Sequence, residues 1–278
     1  MGKMKSINRR SWLSTPYAIW IAGFTVIPLI VIFQYAFQSK TGGFTLDNVL
    51  AIFDPINLKA MIFSLEIAAG STIICILLAY PLVLALKRLH MGKQGFLLFV
   101  LILPMWMNFI LRILAWQMIL SSNGILNMFL GFFGIPPLSI ANTWISMMIG
   151  MVYDYLPYMI LPIYNAIAEI DEDVIEAAKD LGANGMTVFR KIILPLSVPG
   201  LMSGVVMVFV PSMTSFVVAD ILGGGKLQLI GNIIEQEFTR SMDWNLGSGL
   251  SVSLMIFVLI SMAFTMKNDP EGKDSAIW

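Results

Sequence analysis

The chain has 278 residues, 58% of them hydrophobic and only 12% charged, and its seventeen basic and seventeen acidic side chains leave no net charge. A water-soluble domain of this length needs far more polar surface, so lipid must solvate most of it. The balanced charge gives no general attraction to nucleic acid. One cysteine (Cys75, in an apolar run) and one histidine (His90, in a basic stretch) exclude an internal disulfide and a His/Cys metal centre.

Residues 1–16 are basic, with Lys3, Lys5, Arg9 and Arg10, and lead into an apolar run at Tyr17–Phe37. That run is long enough to cross a bilayer and too long for a signal-peptide core, so it is expected to be an uncleaved anchor. Five further runs of spanning length follow at Met61–Leu86, Phe96–Leu120, Thr143–Asn165, Pro199–Leu222 and Gly247–Met266. Lipid tolerates no free strand edge, so the expectation is an all-α membrane protein with six transmembrane helices over residues 17–266. Residues 267–278 form a polar tail. Pro28, Pro81, Pro104, Pro157, Pro162 and Pro211 fall inside the runs and predict kinks.

Lysine and arginine set the expected orientation. With the N-terminus in the cytoplasm, the inner segments hold Lys87, Arg88, Lys93, Lys179, Arg190, Lys191, Lys267 and Lys273 besides the basic start. The outer loops hold only Lys40, Lys59, Lys226 and Arg240. Both termini are therefore predicted to be cytoplasmic, in a multi-pass protein.

The loop at 171–195 is the main polar interruption. Asp171 suits an N-cap, Glu172 and Asp173 suit a first turn, and Lys179 and Gly182 suit a helix end. Val174, Ala178 and Leu181 fall on one face, and Asn184 suits the cap of a second short helix carrying Met186, Phe189, Arg190 and Lys191. The result is a helical hairpin with small residues, Ala177 and Ala178, where another backbone can approach. On these residues alone, a hairpin lying on the bilayer is also open.

Four ionisable residues lie within or near the ends of the runs: Glu66, Arg112, Asp154 and Asp220. Such groups are functional candidates by default. Glu66 and Arg112 suit a structural ion pair between neighbouring helices. Asp154 lies near mid-membrane among Tyr153, Tyr155 and Tyr158, a setting that suits either an organic ammonium or a network with the tyrosine hydroxyls. Asp220 sits above a polar stripe of Ser212, Thr214 and Ser215, and Trp106 suits an aromatic wall. Gly223-Gly224-Gly225-Lys226 resembles a phosphate loop only superficially, because Asp220 and Leu227 occupy positions that motif reserves for Gly and Ser or Thr.

The sequence Glu176-Ala177-Ala178, then Gly182, then Ile192 and Leu194-Pro195, resembles the EAA loop of ABC-importer permeases in spacing and identity. Across the rest of the chain, Thr45-Leu46-Asp47-Asn48, Pro104-Met105-Trp106 with Asn108 and Arg112, Ser121 with Leu126-Asn127, Asp220-Ile221-Leu222-Gly223-Gly224 and Leu229 through Asn232 are similar to the B-type permeases of spermidine/putrescine importers. The resemblance implies a type I permease fold whose hairpin is a coupling helix docking on a separate ATPase. Glu176, Ala177, Ala178, Gly182, Phe189, Ile192, Leu194 and Pro195 would serve that contact. It further implies a second, C-type permease, two ATPase copies that use ATP and Mg, an extracytoplasmic polyamine-binding protein, and residence in a bacterial inner membrane. The chain itself would bind no cofactor and catalyse no reaction. Asp220 and Trp106 become the leading pathway residues, ahead of Asp154, Tyr158, Glu66, Arg112 and Ser215. A permease for another small solute and an ion-coupled carrier are the rival readings; inverted repeats expected of the latter are not visible.

Overall fold

The computed structural model describes residues 15–87 and 91–267. His90, the segment before Thr15 and the tail from Asn268 lie outside the described residues. Among those described, the chain is helical and forms no strand. The elements are α1 (Thr15–Ile21), α2 (Ile27–Ala36), α3 (Asp47–Leu50), α4 (Pro55–Lys87), α5 (Met91–Ile102), α6 (Phe109–Leu120), α7 (Ile125–Phe132) and α8 (Trp144–Ala168). They continue with α9 (Glu172–Asp180), α10 (Gly185–Val188), α11 (Leu194–Leu196), α12 (Val198–Thr214), α13 (Phe216–Leu222), α14 (Ile230–Thr239) and α15 (Trp244–Lys267). Among the described residues, five stretches are long and apolar enough to span a membrane, and a sixth results if the pair Gly185–Leu196 and Val198–Thr214, bent by 66°, is one span.

Two predicted spans are not continuous. The third, expected at Phe96–Leu120, breaks at Met107, whose backbone is extended. Pro104 removes an amide donor and crowds the preceding turn, and the Asn108 side chain then caps α6 by accepting from the amides of Ile110 and Leu111. The fifth, expected at Pro199–Leu222, breaks at Ser215 (ψ 68°), between α12 and α13. Elsewhere proline is absorbed differently. A π-helical turn at Ala22–Val26 precedes Pro28, and another at Phe189–Ile193 precedes Pro195. In each, the hydrogen-bond register shifts by one residue next to the proline, which has no amide to donate.

The chain divides into two compact units. In the first, formed by the residues up to Asp54 together with Ile234–Ile256, Asn48 Nδ2 donates to the carbonyls of Ala36 and Gln38 and so closes the end of α2. Ser253 Oγ donates to the Val49 carbonyl, and Gly249 passes so close to Asn48 that a Cβ there would meet the Asn48 carbonyl at 2.3 Å. Lys40 and Asp243 form an ion pair at 2.5 Å. Its hydrogen bond raises the lysine pKa. Burial pushes the Asp243 carboxyl up, but Lys40 and the Leu246 amide outweigh it and hold the carboxyl below its ordinary value.

In the second unit, Pro55–Ile233 with the residues from Phe257, α8 packs against α4 and α12, and these two pack on each other. Cys75, Ala79 and Val83 of α4 meet Met159, Ile160 and Ile163 of α8 and Val208 of α12 in one buried cluster. A second cluster joins Met147 and Met151 to Val218 and Leu222 of α13. Lipid gives apolar helices no reason to associate, so close backbone approach must supply the attraction. Gly200 and Gly204, four residues apart on α12, provide it. A Cβ on Gly200 would lie 2.4 Å from the Pro162 carbonyl oxygen, and one on Gly204 would lie 2.7 Å from the Met159 sulfur. Replacing Gly200 by Val is expected to push α12 away from backbone that cannot yield. The loss should be about 1–3 kcal/mol, read as a melting temperature several degrees lower in detergent; an unchanged melting curve would show that the contact carries no stability.

Candidate functional site

The polar hairpin folds as its sequence dictates. Asp171 Oδ1 accepts from the Asp173 amide at 3.0 Å and starts α9. Gly182 adopts φ 84°, its amide donates to Lys179 and the Ala183 amide to Ala178, which together end α9 with a left-handed residue that glycine alone adopts freely. Asn184 Oδ1 accepts from the Thr187 amide and starts α10. The packed face differs from the predicted one. Ile175 and Ala178, not Val174 and Leu181, rest on the core cluster, while Val174, Leu181 and Met186 stay 45%, 89% and 65% exposed. Glu176, Ala177 and Pro195 are exposed, and Ile192 and Leu194 pack partly on the core. Phe189, expected to reach a partner, turns inward instead and meets the Tyr80 ring edge-on at 5.7 Å.

Residues the sequence did not single out hold the hairpin to α4. The hydroxyls of Tyr80 and Ser197 are hydrogen-bonded at 2.9 Å, and both residues are buried. Lys87 Nζ donates to the carbonyls of Ile167 and Ile170, just ahead of the hairpin. Thus α4 grips the loop on its entering and leaving strokes. A hydroxyl and an ammonium bordering long apolar runs were the available signals. At its other end, Ser64 Oγ accepts from the Ile230 amide at 2.8 Å. From Ser64 to Tyr80 the helix rises roughly 24 Å, with Pro81 inside it.

That distant end carries the exposed Asp220. Asn232, fully buried, donates to Asp220 Oδ1 at 2.7 Å and to the Phe216 carbonyl, and its own oxygen accepts from the Leu229 amide. The carboxylate is therefore oriented by a rigid amide while facing outward. The stripe expected below it is mostly structural. Ser212 is buried with its hydroxyl on the Val208 carbonyl, Thr214 bonds back to Pro211, and Thr214 and Ser215, at the break, are half-exposed. Gly223–Gly225 form a tight turn, with Gly224 and Gly225 at φ 64° and 68°, not a phosphate cradle.

The expected Glu66–Arg112 pair does not form. Glu66 is exposed and lines a groove of about 1000 Å³ with Lys59, Phe63 and Lys226. Arg112 turns to Asp154, with Nε 2.6 Å from Oδ1 and both side chains almost wholly buried. Its Nη1 donates to the Pro104 carbonyl at 2.8 Å, and its guanidinium lies 5.8 Å from the Phe109 ring centre and 5.9 Å from that of Tyr153. Tyr153 in turn meets Trp116 edge-on. Asp154 thus has a protein cation as its neighbour instead of the tyrosine hydroxyls. Tyr158 is 40% exposed beside Tyr155, and Trp106, 80% exposed, touches Phe99. The structure brings Arg112 and Asp154 together and leaves Glu66, Asp220 and Trp106 apart from them.

The family described as binding-protein-dependent transport system inner membrane component matches residues 71–268. The spermidine/putrescine transport system permease protein PotB of Haemophilus influenzae is 38% identical over 267 residues, covering 92% of this chain and 93% of that protein. Its Escherichia coli namesake is 37% identical over 85% of this chain and 89% of its own length, and the Escherichia coli inner membrane ABC transporter permease protein YdcU is 27% identical over 83% and 78%. Among solved structures, a chain of a bacterial ABC transporter involved in import of the acidic polysaccharide alginate superposes with a TM-score of 0.78 over 93% of this chain and 95% of its own, at 18% identity, which speaks to the fold. With its helical bundle, bent fifth span and polar hairpin, the chain belongs to the inner-membrane permease components of binding-protein-dependent ABC importers.

Proposed function

We propose that the chain is one permease subunit of an ATP-driven importer for small polyamines. The observation that carries this is the near full-length similarity to proteins named as spermidine/putrescine permeases. The exposed Asp220 carboxylate supports it, since a fixed anion attracts an ammonium. On this reading a second permease completes the pathway, two copies of an ATPase supply the energy with ATP and Mg, and an extracytoplasmic receptor delivers the cation. The bacterial inner membrane holds the complex, with both termini of this chain in the cytoplasm. Asp220, Trp106, Tyr158, Ser215 and Glu66 line or flank the route.

The hairpin is the proposed contact with the ATPase. Exposed Val174, Ala177, Leu181 and Met186 offer a shallow apolar surface bordered by Glu176 and Lys179. Any movement imposed on it reaches α4 through Tyr80, Ser197 and Lys87. A ligand shifts such an equilibrium only by binding one state better than the other, so the ATPase must hold the hairpin differently with and without nucleotide.

Uptake of labelled putrescine and spermidine into vesicles holding the whole complex tests the reading. ATP-dependent accumulation is expected, and uptake of neither polyamine would overturn the cargo. Asp220→Asn keeps the shape and the Asn232 contact but removes the charge. It should raise the uptake KM about tenfold, with complex assembly unaltered; an unchanged KM removes Asp220 from the route. Gly182→Val forces a branched side chain into φ 84°. It is expected to leave ATP hydrolysis running while uptake falls, and preserved coupling between the two would count against docking at α9.

A further inference from the structure

We propose that Asp154 is a binding site for a cargo ammonium, and that Arg112 is its built-in occupant when cargo is absent. The idea rests on the cationic cargo proposed above and adds to it an exchange of one cation for another inside the membrane.

The site has the parts that an organic cation requires. A carboxylate only 1% exposed lies under a guanidinium, and the rings of Phe109 and Tyr153 flank that cation at 5.8 and 5.9 Å. Aromatic faces beside a carboxylate hold an ammonium by charge and by cation–π attraction. The manner in which Arg112 fills the site is unlike that of a permanent structural pair. Structural arginine–carboxylate pairs favour the two-pronged fork with two aligned hydrogen bonds. Here the contact is Nε on Oδ1, while Nη1 is turned to the Pro104 carbonyl. Oδ2 of Asp154 has no hydrogen-bond partner among the described residues. A buried acceptor left unsatisfied is costly. One more N–H donor on Oδ2 would therefore be strongly held.

Arg112 also has somewhere to stay when it leaves. Its Nη1 is bonded to the Pro104 carbonyl, on the near side of the break at Met107. The guanidinium can pivot about that bond while Nε swings off Asp154. Throughout the exchange the carboxylate keeps a cation beside it, so the buried anion is never bare. A dication that bears an N–H donor at each end keeps a second amine free for another acceptor.

Thermal melting and uptake of the whole complex test the exchange. Arg112→Gln leaves Asp154 uncompensated, and its melting temperature should fall. Millimolar putrescine or methylguanidinium should then restore it, and should do so more in this variant than in the native complex. The rescue should vanish in the double variant R112Q/D154N, a neutral amide pair that assembles normally but imports with a KM raised tenfold or more. Absence of rescue in Arg112→Gln, or an unchanged KM in the double variant, would overturn the proposal. Failure of the double variant to assemble would also count against it, because an exchangeable pair must tolerate joint removal of its charges. If the native complex imports no polyamine while methylguanidinium still rescues Arg112→Gln, the cation site stands and the cargo assignment fails.

Discussion

Hydrocarbon offers no hydrogen bonds, so each place where a helix breaks inside the bilayer exposes backbone carbonyls that some other part of the chain must satisfy. This constraint organises the second unit. The break at Met107 is closed by Arg112 on the Pro104 carbonyl. The break at Ser215 and the end of α13 are closed by Asn232 on Phe216, Gln117 on Ile221 and Ser146 on Leu222. The end of α8 is closed by Lys87 on Ile167 and Ile170. Every one of these side chains comes from a different helix or from beyond the break, so satisfying the backbone also fixes which helices are neighbours.

The same stitches position the chemistry. Asn232 closes a broken span and, with its second amide hydrogen, aims Asp220. Arg112 closes another and, with Nε, faces Asp154. A transporter needs irregular backbone along its route, because a regular helix turns all its polar groups inward. On the proposed reading, the polar side chains that repair that irregularity are thereby delivered to the route. Structural and cargo-facing roles therefore need not compete at a residue such as Arg112.

Much of this was legible in the sequence where the signal is local. Asp171, Gly182 and Asn184 announced a capped hairpin because caps and left-handed residues depend on a handful of neighbouring atoms, and the structure places each as expected. Six apolar runs announced the bundle because spanning length is a one-dimensional property. The partner of Arg112 was misassigned for the opposite reason. Nothing in one dimension says that α6 faces α8 at Asp154 rather than α4 at Glu66. The inward turn of Phe189 was likewise invisible, since it depends on Tyr80, more than a hundred positions earlier. Pro104 and Pro211 announce bends in the third and fifth runs, but not that the helix stops at Met107 and Ser215, because hydropathy is blind to backbone: Met107 is as apolar as any residue of a continuous span.

Several residues that carry the family resemblance prove to be stitches of this kind. Asn48 closes α2, and Asn127 holds the loop after α6 by donating to the carbonyls of Ser121, Ser122 and Leu138 and accepting from the Leu138 amide. Asn232 joins α13 to α14, and Gly231 lets the chain pass where a Cβ would meet the Thr214 carbonyl at 2.6 Å. None of them needs to touch cargo to matter. Each fixes a joint that any solute would require, so motifs of this type report the architecture of the permease. On the proposed reading, cargo selectivity resides in the few groups that the stitches leave facing outward or exchangeable, foremost the Asp220 carboxylate and the Arg112–Asp154 pair.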